Sequence, residues 1–208
     1  VKIIWIDVET TGLDFKEDRI IELAALYEDT KLNHAEHGEK AKSLFHKFCK
    51  PFDKPPEKWG DKIPGMGDKT ISEATGITWE KLEKEGLSDG DLYREFHGFI
   101  ADKIESFNKD DKAIFAAYNA KFDNNMIRAL WNRNEDKYFG SYFLSANLDI
   151  LSTVALAISR EVMPPLVRHS LDVVCAHFDI QLNAHSAKDD IIASRKVQLE
   201  LEKKLGVK

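Results

Sequence analysis

Residues 3–14 read IIWIDVETTGLD. Residues 2–8 are rich in Ile, Val and Trp, the composition of a β-strand. Successive strand side chains point to opposite faces. Ile4, Ile6 and Val8 therefore share one face, and Ile3, Trp5, Asp7 and Glu9 share the other. Apolar residues on both faces at its start mark a central strand, covered from both sides. Asp7 and Glu9 then follow on a single face. Two adjacent carboxylates there repel each other and resist loss of water. Either the strand emerges into solvent at this point, or a divalent cation neutralises the pair. Hard oxygen ligands of this kind suit Mg²⁺ or Mn²⁺.

Outward from this strand, residues 19–28 and 43–51 read as two more strands. Short links between consecutive strands predict that the first three run antiparallel. The link at 29–41 is longer and strongly charged, a loop or a short exposed helix. Residues 51–69, rich in Pro, Gly, Lys and Asp, read as coil. A fourth strand covers 112–119. Helical periodicity marks 91–104, where Leu92, Phe96, Phe99, Ile100 and Ile104 lie near one stripe. Further helices are expected at 122–133, 148–160, 169–180 and about 186–205. Three strands followed by mixed strands and helices predict an α/β fold with a mixed sheet. The 208 residues suit one domain spanning 1–208, with 29–41 as a charged insertion.

Composition narrows the function. The chain is 43% hydrophobic and 32% charged, enough for a core and for solubility. A formal net charge of −6 argues against a protein that coats nucleic acid by charge alone. Cys49 and Cys175 sit in apolar settings, read as free buried thiols. No zinc-type Cys/His spacing occurs. No apolar run approaches the ~18 residues of a membrane span, and no basic or apolar leader is read at the start. A reducing, cytoplasmic setting is expected, without membrane partners.

Two more stretches place acids on apolar faces. In AAYNAKFDNNMI (116–127), Asp123 precedes Met126, Ile127 and Leu130 at helical offsets, so it turns toward the core. An acid in a first helical turn also has a purely structural use, against the positive helix end. In NAHSAKDDIIAS (183–194), two adjacent aspartates part company on a helix. From Asp190 the helical offsets reach Ser194, Val197, Leu201 and Leu205, an inner face. From Asp189 they reach Ala193, Lys196, Glu200 and Lys203, a wet face. His185 precedes Asp190 by five residues.

Taken together, DVETTGL (7–13), NAKFD (119–123) and HSAKDD (185–190) resemble the three motifs of DEDD-type 3′–5′ exonucleases of the histidine subtype, the group of epsilon-like proofreading nucleases, ribonuclease T and oligoribonuclease. TGIT (75–78) and SLDVVCAHFDI (170–180) resemble connecting segments of that family, and the likeness runs over roughly residues 2–200. The resemblance implies a ribonuclease H-like fold, its mixed central sheet flanked by α-helices. It implies two divalent ions, Mg²⁺ or Mn²⁺, held about 3.5–4 Å apart by Asp7, Glu9, Asp123 and Asp190. It makes His185 the general base, a role its unperturbed pKa near 6.5 suits.

The implied substrate is the 3′ end of a single-stranded nucleic acid, DNA ahead of RNA, released as nucleoside 5′-monophosphates. Thr10, Thr11, Gly12 and Leu13 would line the pocket of the terminal nucleotide, with Asn119 and Phe122 as further contacts. Tyr118 stands where epsilon-like members often carry histidine, and is expected to alter substrate contacts. A polymerase or another replication or repair protein is the implied partner. The rival readings are an RNA-trimming enzyme and a non-catalytic binding module of the same fold. His34, His37 and His46 resemble a cluster but show no carboxylate partner in the sequence. His97, His169 and His177 read as surface or core residues, and Asp149 as a helix cap.

Overall fold

The first strand organises the sheet. In the computed structural model, which describes residues 1–62, 69–183 and 186–207, β1 (Lys2–Thr10) is the middle of five strands ordered β3-β2-β1-β4-β5. β2 (Ile20–Asp29) and β3 (Lys42–Phe48) add to one side, both pairings antiparallel. β4 (Ala113–Ala117) and β5 (Phe143–Asp149) add to the other, both parallel. The expected antiparallel opening and mixed sheet are therefore present.

The alternation along β1 is realised as two separate cores. Ile4, Ile6 and Val8 pack with Phe96, Leu130 and Trp131, under α4 (Asp89–Ala101) and α5 (Ala120–Arg133). Trp5 packs on the opposite face with Val154, Val174, Ile191, Val197 and Leu201. Those residues come from α6 (Ile150–Ser159), α7 (Leu171–His177) and α8 (Ala187–Leu205). An ion pair between Arg195 of α8 and Glu28 of β2 adds a polar tie at the far end.

The differences from the sequence reading have local causes. β5 was not anticipated, because Leu144–Asn147 are exposed and carry no apolar alternation on this edge strand. The helix expected from 148 starts at Ile150 instead. Asp149 caps it, accepting the Leu151 amide at 3.2 Å. Two short helices, α2 (Ile71–Thr75) and α3 (Trp79–Glu85), are too brief to show a period. The capping box of Thr70 and Glu73 was the readable signal of α2. The 29–41 link forms a one-turn helix, α1 (His34–His37), and a 3₁₀ turn at Gly38–Lys40. The described part of 51–69 is coil apart from a 3₁₀ turn at Glu57–Gly60.

This topology fixes where a ligand can sit. The β1–β4 ladder covers only Lys2–Trp5 and Ala113–Ala116, so the end of β1 runs on without a partner on that side. The chain leaves β1 toward β2 and leaves β4 toward β5. Strand order thus reverses between these two parallel neighbours, and a crevice opens at their carboxyl ends. No helix among the described residues is long and apolar enough to cross a membrane.

Trp131 is the keystone of the first core. Fully buried, it meets the rings of Tyr93, Phe96 and Phe139 edge-on at 5.2, 5.7 and 5.6 Å. Trp131→Ala is expected to lower the unfolding free energy by about 3–5 kcal/mol in a urea titration. Exposed Leu199→Ala should change it by less than about 0.5 kcal/mol.

Candidate active site

Asp7 and Glu9 lie at the end of β1 that pairs with β2 but extends past the β4 ladder, each part-buried. Asp123 enters from the first turn of α5 and is 3% exposed. Its Oδ1 accepts the Val8 amide at 3.2 Å, a donor that lies past the last β4 pairing. The turn delivering it is tight. Asn119 has φ of 65°, a left-handed conformation that Asn tolerates better than most residues. Asp149 Oδ1 accepts the amides of Asn119 and Ala120 at 3.1 and 3.4 Å, so one carboxylate serves the starts of two helices.

Asp190 comes from the first turn of α8, whose inner face carries Ser194, Val197 and Leu201. Asp7, Glu9 and Asp190 each offer an oxygen, and these three lie within 4.8 Å of one another. Asp190 Oδ1 is buried and has no hydrogen-bond donor among the described residues. The expected wet face from Asp189 is narrower than supposed. Ala193 is buried in the second core, while Lys196 and Lys203 remain exposed. Asp189 itself is half-buried. His185 lies outside the described residues.

The four acids share a strongly unfavourable field. Burial and the charges of Asp123, Glu9, Asp190 and Glu22 hold Asp7 well above the ordinary aspartate range. Burial, followed by Asp190, Glu22 and Asp123, pushes Glu9 up to about 8. Burial also pushes Asp123 to about 8, outweighing its amide hydrogen bond from Val8. Asp190 rises to about 7 through burial, Glu22 and Asp189. Oxygen-only donors, like charges at close range and a buried oxygen without a donor fit a divalent cation such as Mg²⁺ or Mn²⁺.

Glu22 was missed from sequence. It sits on β2 directly opposite Glu9 and is 2% exposed. An acid inside the apolar run Ile20–Ala25 was the available signal. It also corrects the reading of His46, which does have a carboxylate partner. His46 Nε2 lies 2.6 Å from Glu22 Oε1, brought there by β2–β3 pairing. His34 and His37 are exposed on α1, and among the described residues their rings bond backbone carbonyls.

The turn after Glu9 divides into structural and exposed parts. Thr10 Oγ1 donates to the Gly12 carbonyl at 2.6 Å. Thr11 is fully buried. Its hydroxyl donates to Asp18 and accepts from the Arg19 amide, and its own amide donates to the Arg19 carbonyl. A Cβ on Gly12 would fall 2.4 Å from Asp18 Oδ2, so the close approach of that carboxylate requires glycine. Leu13 is 50% exposed and is not a core residue. With Thr11, Gly12, Asp18, Lys58 and Lys62 it lines a cavity of about 390 Å³. Asn119 is exposed, and Phe122 is half-buried against the first core. The hydroxyl of Tyr118 donates to the His169 carbonyl and its ring leans on the second core, so here it ties a loop down.

Comparison with known proteins agrees with this architecture. A family model described as an exonuclease, of the RNase T type, matches residues 4–197. The chain belongs to that exonuclease family and is a nuclease of the hydrolase class. It is 32% identical over 206 residues to the PolC-type DNA polymerase III of Thermotoga maritima, and 29% identical over 179 residues to that of Halalkalibacterium halodurans. These matches cover 97% and 86% of this chain but only 12% and 10% of the polymerases. The chain thus spans about a tenth of the length of these relatives.

Among solved structures, a moderately thermophilic exonuclease I from Methylocaldum szegediense superposes with a TM-score of 0.72 at 22% identity. That match covers 97% of this chain and 40% of the other. E. coli exonuclease I in complex with a dT13 oligonucleotide gives 0.71 at 20% identity, over 99% and 42%. The fold is the ribonuclease H-like fold, as the motif resemblance implied.

The raised carboxyls have a measurable consequence. Each holds its proton to higher pH in the fold than in the unfolded chain, where such groups titrate near 4. Folding therefore takes up protons between about pH 4 and 8, and stability falls as pH rises through this window. In EDTA, the melting temperature should drop between pH 5 and 8. Asp123→Asn keeps an acceptor for Val8 and removes a charge. It should raise the melting temperature at pH 8 by about 2–4 °C, with the gain shrinking toward pH 5.

Proposed function

We propose that this chain is a 3′–5′ exonuclease that hydrolyses single-stranded DNA from its 3′ end with two divalent cations, releasing nucleoside 5′-monophosphates. The observation that carries this reading is the convergence of Asp7, Glu9 and Asp190 within 4.8 Å beside buried Asp123. Those four carboxylates are the ligands, with Mg²⁺ or Mn²⁺ as the cations. When bound, the ions neutralise charge on the scissile phosphate and on its attacking and leaving oxygens.

The chain's own residues do the rest. His185, five residues before Asp190, takes the proton from the attacking water as general base. Leu13, exposed beside the cavity after Glu9, packs against the terminal base. Asn119, exposed at the mouth of α5, meets the strand from the other side, with the flank of Phe122 beside it. Thr10, Thr11 and Gly12 act mainly by shaping the turn that presents Leu13. The preference for DNA draws on the PolC-type relatives and on the oligonucleotide complex of exonuclease I.

The same relatives suggest a proofreading or repair setting with a polymerase or similar partner, residues 1–208 serving as one exonuclease domain. Cys49 and Cys175, both buried and free, suit a reducing cytoplasm. RNA trimming is the competing reading, since the matching family model is of the RNase T type.

Incubation with 5′-labelled single-stranded DNA and matched RNA tests the proposal. A ladder shortening from the 3′ end is expected in Mg²⁺ or Mn²⁺ and absent in EDTA. Asp7→Ala, Asp123→Ala and Asp190→Ala should abolish it while the circular dichroism spectrum persists. His185→Ala should slow it by about 10²–10⁴-fold, and Asp189→Ala should change it little. Faster cleavage of RNA would move the assignment to RNA trimming. No cleavage of either strand with either metal would leave a non-catalytic binding fold.

A further inference from the structure

Glu22 is a fifth carboxyl at the site, and the cation reading does not use it. Both of its oxygens are already engaged. Oε1 pairs with His46 Nε2 at 2.6 Å, and Oε2 accepts the backbone amide of Ala187 at 3.3 Å. Ala187 is the first residue of α8. The first amides of a helix have no partner within it, and Ser186 at the cap position makes no side-chain hydrogen bond to the helix. Ala187 is fully buried, so water is no substitute for the missing acceptor. Glu22 thus caps α8 from a neighbouring strand, with its charge placed at the positive helix end.

We infer that Glu22, braced by His46, is a positioning residue that fixes the start of α8 against β2 and thereby sets Asp190 opposite Asp7 and Glu9. The geometry suits the task. Glu22 lies across from Glu9 in the β1–β2 register, and Asp190 follows Ala187 within the same helical turn. The single carboxylate therefore references the third acidic motif to the strand pair that carries the first. Its consequence for cation binding rests on the function proposed above, whereas the capping itself does not.

Two conservative changes separate position from charge. Glu22→Gln keeps the reach and an acceptor but removes the charge. Glu22→Asp keeps the charge but shortens the reach by one methylene. In the full chain held in EDTA, Glu22→Asp should accelerate amide exchange at Ala187 by about fivefold to tenfold, the loss of a helix cap. Glu22→Gln should change it by less than about threefold, and Ile4 and Ile6 amides in β1 should hold in both. Mn²⁺ binding, read by water proton relaxation without substrate, should weaken about tenfold or more in Glu22→Asp and little in Glu22→Gln.

The reverse order, with Glu22→Gln the more damaging, would overturn the inference and make the charge itself the requirement. Accelerated exchange with unchanged Mn²⁺ binding would break the link to Asp190. A wild-type chain that binds no Mn²⁺, yet shows the expected exchange pattern, would keep the cap and remove the cation reading instead.

Discussion

Like charges held together at the edge of an apolar core are the constraint on which this molecule turns. Four carboxyls crowd the end of β1 without a basic side chain bonded to any of them among the described residues. Left alone, such a cluster would push its bearers apart or draw in water. Two cores prevent this, one on each face of the sheet, by fixing β1, α5 and α8 from their apolar sides. The charge is thus confined by packing that lies away from it. A fold that accepts this cost gains a strong and localised concentration of acidic groups.

The supporting polar groups follow the same logic. Asp149 serves two helix starts, and Glu22 serves a third from an adjacent strand. Each satisfies backbone amides that the turns of a tight crevice leave exposed. In both places a carboxylate is spent on backbone geometry, so that the neighbouring acid is delivered at a defined point. The acids nearest the crevice therefore do two kinds of work, and only the pattern of partners tells them apart.

Much of this was legible along the chain. Strand alternation separated Ile4, Ile6 and Val8 from Trp5, Asp7 and Glu9, and helical offsets turned Asp123 inward and favoured Asp190 over Asp189. Those are local periodicities, and a single sequence carries them. The relation of Glu22 to Glu9 is of another kind. It depends on cross-strand register, which the turn at 11–19 and an irregularity at Glu9–Thr10 set together. His46 needs a second register on top of the first. β5 escaped notice because an edge strand open to solvent need not alternate. What periodicity encodes could be read, and what cross-strand register encodes could not.

The order of elements along the chain has a temporal side. β1 carries the first two acids near the start, while Asp190 arrives on α8, after every other strand and helix described. Domains fold as units, and contacts between distant parts of the chain form late because closing a long loop costs entropy. The cluster therefore closes only when α8 docks. Until α8 docks, Asp7 and Glu9 stand without Asp190, so a partly folded chain holds an open site, and the full acidic cluster forms together with the packing that surrounds it.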